Sequence, residues 1–186
     1  MMSAQPEDLE QKVKDLSERV AALERAVPSE DRLTLGLISG DLDMTMAAFI
    51  VALGARAYDV EVDMFVTFWA LAALRDPHKK VSKGALDTLF GMMLPSGSTH
   101  LPLSHLQMLG IGPRFIRKVM NDRGVKSLEQ LMREAAEQGV KIHACAMTMD
   151  VMGIKEAELI DYPGLDIVGV GQFVSMMSES RHCWFF

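Results

Sequence analysis

Cys145 is the residue whose type and position most directly indicate chemistry. Residues 140–145 alternate between apolar and other side chains, which is typical of a short strand, and a methionine-rich run of helical character follows. Cys145 therefore lies where a strand ends and a helix begins. In open α/β sheets this edge binds ligands, and the N–H groups at a helix start stabilise a thiolate. The position predicts a reactive cysteine, with an inert buried thiol as the alternative.

Residues close to Cys145 in the sequence are candidates for supporting roles. His143 lies two residues earlier on the same strand face and could assist proton transfer, although a packed or surface histidine fits the pattern as well. Met147 and Thr148 are candidate pocket residues. Either a soft thioether-lined pocket or ordinary core packing fits the methionines Met92, Met93, Met108, Met147 and Met149. Asp150 is not expected to activate the thiol, because a nearby carboxylate raises a thiol pKa.

A family resemblance rests on residues 144–154, which read Ala-Cys-Ala-Met-Thr-Met-Asp-Val-Met-Gly-Ile. This stretch resembles the cysteine signature of the DsrE/DsrF-like superfamily, and in particular its stand-alone DsrE-type proteins, described as sulfurtransferases or as peroxiredoxin-like. The resemblance covers about residues 32–178, including the methionine-rich segment 84–120. The signature around the cysteine is specific, whereas the rest of the pattern is diffuse.

The resemblance implies a function and a set of partners. Cys145 would accept sulfane sulfur as a persulfide and pass it on, as a sulfur carrier or sulfurtransferase without a cofactor. Rhodanese-type and TusA-type proteins would be the donors and acceptors. In this superfamily the first βα loop borders the cysteine pocket, so Ser39, Gly40 and Asp41 become further site candidates. The superfamily also implies a homo-oligomer, a trimer or hexamer rather than a dimer.

Composition narrows the class of protein. A chain of 186 residues with 49% hydrophobic residues can bury one core, and a net charge of −6 with dispersed basic residues does not suggest nucleic-acid binding. Two cysteines make no disulfide framework, and the chain opens on polar residues, so we expect a cytoplasmic protein. The longest apolar stretch, Met64–Leu74, has 11 residues, too few for a membrane span. No spacing of histidines and cysteines indicates a metal site.

The first 30 residues are predicted to form a separate helix and linker. Between residues 6 and 27, apolar residues recur in a heptad a/d pattern, and Pro28 ends the helix. The apolar seam needs a partner, because an isolated helix of about three heptads is marginal in water. It fits either an oligomerising coiled coil or an amphipathic helix docked on its own domain.

Residues 31–186 are predicted to form a three-layer α/β/α domain with a mostly parallel sheet of about five strands. Buried strands are expected at 33–38, 61–68 and 140–145, with a short final strand at 165–168 and an unlocated strand between 84 and 138. Ser127 and Gln130 have the capping-box spacing of a helix start. The Ser39-Gly40 turn lacks the glycine pattern and the lysine of nucleotide-binding loops. The aromatic tail 184–186 is expected to dock on the domain or on a neighbouring subunit.

Two other functions compete with sulfur transfer. One is a non-catalytic oligomeric protein that binds a small ligand or acts as a scaffold, which a buried and inert Cys145 would favour. The other is a thiol peroxidase, which would need a threonine and an arginine near its cysteine. Thr148 has no arginine beside it in the sequence, so this alternative is the weakest of the three.

Overall fold

The computed structural model describes residues 6–26, 31–79 and 81–186. The elements follow in chain order: α1 Pro6–Ala26, β1 Arg32–Leu37, α2 Leu42–Arg56, β2 Glu61–Val66, α3 Ala85–Met93, α4 Ile111–Asp122, α5 Leu128–Glu137, β3 Lys141–Cys145, α6 Ala146–Met152, β4 Leu165–Val168, α7 Val170–Glu179 and β5 His182–Phe185. Short 3-10 turns lie at Phe68–Leu74, Ser98–His100, Met108–Gly110 and Glu156–Glu158.

The five strands form one sheet in the order β4-β3-β2-β1-β5, and every pairing is parallel. All strands therefore end at the same edge, where the sites of open α/β folds lie. Helices cover both faces of the sheet. The prediction of a three-layer α/β/α domain with about five strands is confirmed.

One face of the sheet carries the main core. Alternate residues of the central strands, such as Leu35, Met64 and Ile142, are completely buried in a cluster that includes Phe49 of α2 and Leu128 of α5. Parallel strands covered by helices need apolar residues at these positions, which is why the strands were visible in the sequence.

The start of α5 has the predicted capping box. The Ser127 hydroxyl accepts a hydrogen bond from the Gln130 N–H at 3.3 Å, and the Gln130 amide oxygen accepts one from the Ser127 N–H at 2.7 Å. Each residue thus satisfies an N–H group that the helix leaves without an intrahelical partner.

The opposite face is covered by α7. Phe173 of α7 stacks on Phe65 of β2, with ring centroids 4.3 Å apart, and meets Phe185 of β5 edge to face at 5.8 Å. Cys145 and Met176 belong to the same small cluster. The geometries are those that aromatic rings favour, so α7 is anchored by a row of three rings across the sheet.

The fifth strand is the C-terminal tail, whereas the sequence suggested an unlocated strand between residues 84 and 138. In the structure, β5 pairs with β1, from Leu33 with His182 to Gly36 with Phe185. Residues 84–138 contain helices and loops. The tail thus docks on its own domain as an edge strand, with the side chains of Trp184 and Phe185 still more than half exposed.

Helix α1 exposes its apolar seam. Leu9, Val13, Leu16 and Val20 are between 50% and 65% exposed. The predicted continuation of the seam to residue 27 and the stop at Pro28 lie outside the described residues. Within the described ranges, no helix is both long enough and apolar enough to cross a membrane.

Candidate functional site around Cys145

Cys145 is the last residue of β3 and immediately precedes α6. It pairs with Val168 on β4, while Val66 of β2 pairs with Ala144. The next residue of the β2 chain, Thr67, therefore lies beside Cys145. The end of β3, the end of β2 and the first turn of α6 converge on the sulfur.

Two buried hydroxyl groups face each other at this point. Thr67 Oγ1 and Thr148 Oγ1 are 2.8 Å apart, and the Phe68 N–H donates to Thr148 Oγ1 at 3.2 Å. Each threonine hydroxyl carries one proton to donate. Because Thr148 already accepts from Phe68, its own proton is free to point toward Thr67 or toward a negative charge on Cys145.

The surroundings of Cys145 favour its thiolate. Burial opposes the charged form, but hydrogen bonding from the Thr148 and Thr67 hydroxyls outweighs it, with help from the N–H groups of Thr148 and Met147. The net effect lowers the pKa of the Cys145 thiol. A lowered thiol pKa is one of the two marks of a reactive cysteine, and partial exposure of the sulfur is the other.

The sulfur is nevertheless covered. Cys145 is only 2% exposed and packs with Phe65, Phe173 and Met176. Two of these three neighbours, Phe173 and Met176, belong to α7, so α7 forms part of the cover over the sulfur.

His143 points to carboxylates rather than to the cysteine. Its Nε2 lies 2.8 Å from Asp63 Oδ1 and its Nδ1 lies 2.5 Å from Asp166 Oδ1, so both ring nitrogens are engaged. Arg32 Nε is 3.5 Å from the other oxygen of Asp63. Together these ionic groups join β1, β2, β3 and β4 on the α7 side of the sheet.

The two buried partners hold each other in the charged form. Burial lowers the pKa of His143, but hydrogen bonds and charge from Asp63 and Asp166 outweigh it and raise the pKa above its usual value. Burial likewise raises the pKa of Asp63, and the contact with His143 outweighs it, so the pKa of Asp63 is lowered. Each partner therefore favours the charged form of the other.

Ser39, Gly40 and Asp41 line a separate cleft. The cleft has a volume of about 260 Å³ and is also lined by Trp69, Met93, Leu94, Pro95 and Pro102. The Ser39 hydroxyl donates to Asp41 Oδ2 at 2.6 Å. A side chain at Gly40 would come within 2.6 Å of the Trp69 carbonyl oxygen, so glycine permits this close approach. Cys145 is not among the lining residues.

The methionines of the expected thioether pocket are dispersed. Met147 is 55% exposed at the start of α6, Met92, Met93 and Met108 are exposed, and Met149 is buried in the core. The structure thus brings Met147 and Thr148 together with Cys145, directs His143 away from it, and places Ser39, Gly40 and Asp41 in the neighbouring cleft.

Sequence reasoning missed Thr67 and Phe173. Thr67 was visible at the end of the second predicted strand, but its place beside Cys145 depends on β2 being the neighbour of β3. Phe173 was visible in the last predicted helix, but the sequence did not show which face of the sheet this helix covers. The strand order and the position of the helix both depend on contacts between residues that are distant in sequence.

Cys183 does not neighbour Cys145. It lies on β5, three strand positions from β3, a separation of about 14 Å across the sheet at roughly 4.8 Å per strand. A disulfide requires Cα atoms within about 7 Å. The two thiols cannot form a disulfide in this fold. Among the residues that the structure describes, no group of three histidine, cysteine or acidic side chains is arranged to hold a metal ion.

The family of this chain follows from comparison with known proteins. The sequence profile described as the DsrE/DsrF/DrsH-like family matches residues 29–185. The chain belongs to this family. The resemblance seen in residues 144–154 is thereby confirmed.

Two relatives and one solved structure illustrate the range of similarity. The uncharacterised protein YrkE of Bacillus subtilis is 46% identical over 149 residues, which are 80% of this chain and 92% of YrkE. The sulfur carrier protein DsrE2 of Allochromatium vinosum is 31% identical over 159 residues, covering 83% of this chain and 97% of DsrE2. The crystal structure of YchN from Escherichia coli aligns over 84% of this chain and 99% of YchN, with a TM-score of 0.49 and 13% identity.

Proposed function

We propose that this protein carries sulfane sulfur as a persulfide on Cys145 and acts as a sulfur carrier or sulfurtransferase. The observation that carries the proposal is the environment of the sulfur. Two threonine hydroxyls and two N–H groups at the start of α6 lower the pKa of Cys145 against the effect of burial. Similarity to DsrE2, which is named a sulfur carrier, supports the same function.

The proposed reaction is a single displacement at sulfur. The Cys145 thiolate attacks the outer sulfur of a donor persulfide, a new S–S bond forms, the donor's S–S bond breaks, and the donor leaves as a thiolate. With thiosulfate as the donor, sulfite leaves. No oxidant or reductant is consumed, because the sulfane sulfur only changes partners. An acceptor thiolate later repeats the attack and regenerates the Cys145 thiolate.

The Thr67–Thr148 pair suits both states of the sulfur. Its hydroxyls donate to the thiolate before transfer and to the persulfide anion after it. His143 has no free ring nitrogen for proton transfer, since Asp63 and Asp166 engage both. We therefore assign His143 a positioning role, in which it ties β3 to its two neighbouring strands.

We propose that the donor and acceptor are proteins of rhodanese and TusA type, and that the chain acts in the cytoplasm as a homo-oligomer. A buried sulfur suits protein partners, because docking can move α7 and open the site only where transfer is wanted. The cleft at Ser39, Gly40 and Asp41 opens on the same edge of the sheet. It is our candidate for a contact with the docked partner.

The test is intact-mass spectrometry after incubation with thiosulfate or a low-molecular-weight persulfide. We expect a gain of one sulfur atom in the wild-type chain that reductant removes. Cys145→Ala should show no gain, and the matched control Cys183→Ala should gain sulfur as the wild type does. Sulfur appearing on Cys183, or no gain while Cys145 is open to alkylation, would reject the carrier function.

A non-catalytic scaffold or small-ligand-binding protein is the second candidate. The 2% exposure of Cys145 is the observation that favours it. Under this alternative, native Cys145 would resist both sulfur donors and alkylating reagents. A thiol peroxidase has less support, because no arginine stands beside Thr148 in the sequence.

A further inference from the structure

The exposed stripe on α1 has a regular sequence register. Val13 and Val20 occupy a positions, and Leu9 and Leu16 occupy d positions. All four are at least half exposed, so the domain does not cover them. A helix of 21 residues with an uncovered apolar seam is marginal in water, because most helical stability comes from packing of the apolar face.

The residue types at the seam specify the number of helices. Valine occupies the described a positions, 13 and 20, and leucine occupies the described d positions, 9 and 16. β-Branched residues at a with leucine at d favour two strands, whereas isoleucine at d shifts the preference to three or four. The seam therefore fits one further helix with the same pattern, and a second copy of this chain carries that pattern.

The charges beside the seam specify the direction of the pair. The described g positions, Lys12 and Arg19, are both basic, whereas the described e positions are the acidic Glu10 and the neutral Ser17. In a parallel pair, position g faces position e of the second copy, so the basic g residues of the two copies do not face each other. In an antiparallel pair, g faces g and e faces e, which sets like charges against each other.

We propose that α1 pairs with α1 of a second copy of this chain as a parallel, in-register, two-stranded coiled coil. This proposal is independent of the sulfur chemistry. Strand β1 begins at Arg32, so the coil joins each domain at the amino edge of the sheet. Cys145 ends β3 at the opposite edge. The coil therefore tethers two domains without covering either cysteine.

The two-fold pairing also bears on the size of the assembly. Each helix has one partner, so the number of chains is even. A dimer, or a hexamer that contains two-fold axes, accommodates this arrangement. A trimer does not, because one α1 would remain unpaired.

Cysteine cross-linking in the full chain tests the proposal. In a Cys183→Ala background, Val13→Cys and Val20→Cys are oxidised mildly, and the covalent products are measured. A parallel in-register pair sets each position against itself, so both variants should form disulfide-linked dimers about tenfold faster than a control on the outer helix face. Glu18→Cys, at an f position of the same helix, is that matched control.

Each outcome of the cross-linking experiment either supports or overturns the proposal. Cross-linking at both seam positions together with an even-numbered native mass supports the proposal. An odd-numbered mass, failure of either seam position, or equal cross-linking of Glu18→Cys overturns it. Because the seam side chains are at least half exposed and outside the core, these changes leave the domain intact.

Discussion

Thr67 and Thr148 are 81 residues apart in sequence, yet their hydroxyl oxygens lie 2.8 Å apart beside Cys145. One threonine follows β2 and the other belongs to the first turn of α6. The parallel pairing of β2 with β3 brings them together. The start of α6 alone would offer the sulfur only backbone N–H groups. The two threonines add two side-chain hydroxyl donors.

Replacing the Thr148 hydroxyl should make Cys145 less acidic. In Thr148→Val the sulfur loses the hydroxyl that most strongly offsets burial, so the pKa of Cys145 rises and its native alkylation rate shifts to higher pH. The Phe68 N–H also loses its acceptor, which costs about 1–3 kcal/mol of unfolding free energy. Alkylation rates across a pH series measure the first effect, and urea unfolding measures the second.

Thr148→Ser is the matched control for this change. Serine keeps the hydroxyl and removes only a methyl group, so its pH profile should stay close to that of the wild type. An unchanged profile in Thr148→Val would show that the hydroxyl does not act on the sulfur.

Opening the α7 cover should expose Cys145. Phe173→Ala removes the ring that stacks on Phe65 and packs with the sulfur. We expect faster alkylation of Cys145 and a loss of about 3–5 kcal/mol in the free energy of unfolding. Val174→Ala, at the next and exposed position of α7, is the control and should change neither quantity appreciably. Equal alkylation in both variants would mean that reagents reach the sulfur by a path that does not involve Phe173.

The position of Cys145 was predictable from sequence, whereas its environment was not. Alternation in residues 140–145 and the helix-forming run behind it are local features, so they identified the strand end. The order of the strands is not local, and it decides that Thr67 is beside the cysteine and that His143 meets Asp63 and Asp166. From the sequence, the only relation between His143 and Cys145 is that they share a strand face, which suggested proton transfer. The carboxylate partners of His143 lie on other strands, so the sequence did not reveal them.

The same limit applies to the fold. Strands β1, β2 and β3 are buried on both faces. Apolar runs predicted β1 and β2, and alternation of residue types predicted β3. Strand β5 has four residues at the edge of the sheet, and only the pairing with β1 defines it. Its aromatic residues indicated docking but not a strand.

The buried His143 cluster should make stability depend on pH. The folded-state pKa of His143 lies above its usual value of 6.5, so its contribution is fully present below pH 6.5 and is lost as the pH rises through the folded value. Asp63 behaves oppositely: its contribution is present above its usual value of 3.8 and is lost as the pH falls through its lowered pKa. The cluster should therefore stabilise the fold most between about pH 4 and 6.5.

His143→Gln tests this dependence through the melting temperature. The deficit relative to the wild type should be largest near pH 6 and should shrink toward pH 9. The control His78→Gln changes an exposed histidine and should give a curve parallel to the wild type. A deficit of constant size from pH 6 to 9 would show that His143 contributes by packing and not by charge.

Two glycine-to-alanine changes should have opposite signs. A Cβ at Gly36 would lie 2.5 Å from the Phe185 ring and 3.3 Å from the Phe173 ring, so Gly36→Ala must move the Phe185 ring, the Phe173 ring or both. We expect a loss of about 1–3 kcal/mol from this overpacking. Gly54 lies in α2 with nothing within 4 Å of its Cβ position, and Gly54→Ala should add about 0.5–1 kcal/mol. Urea unfolding measures both values.

Because Phe185 is the ring nearest to the added Cβ, Gly36→Ala should also speed release of the terminal residues by carboxypeptidase. A loss of stability without faster release would place the strain on Phe173, in which case Cys145 should become more open to alkylation instead.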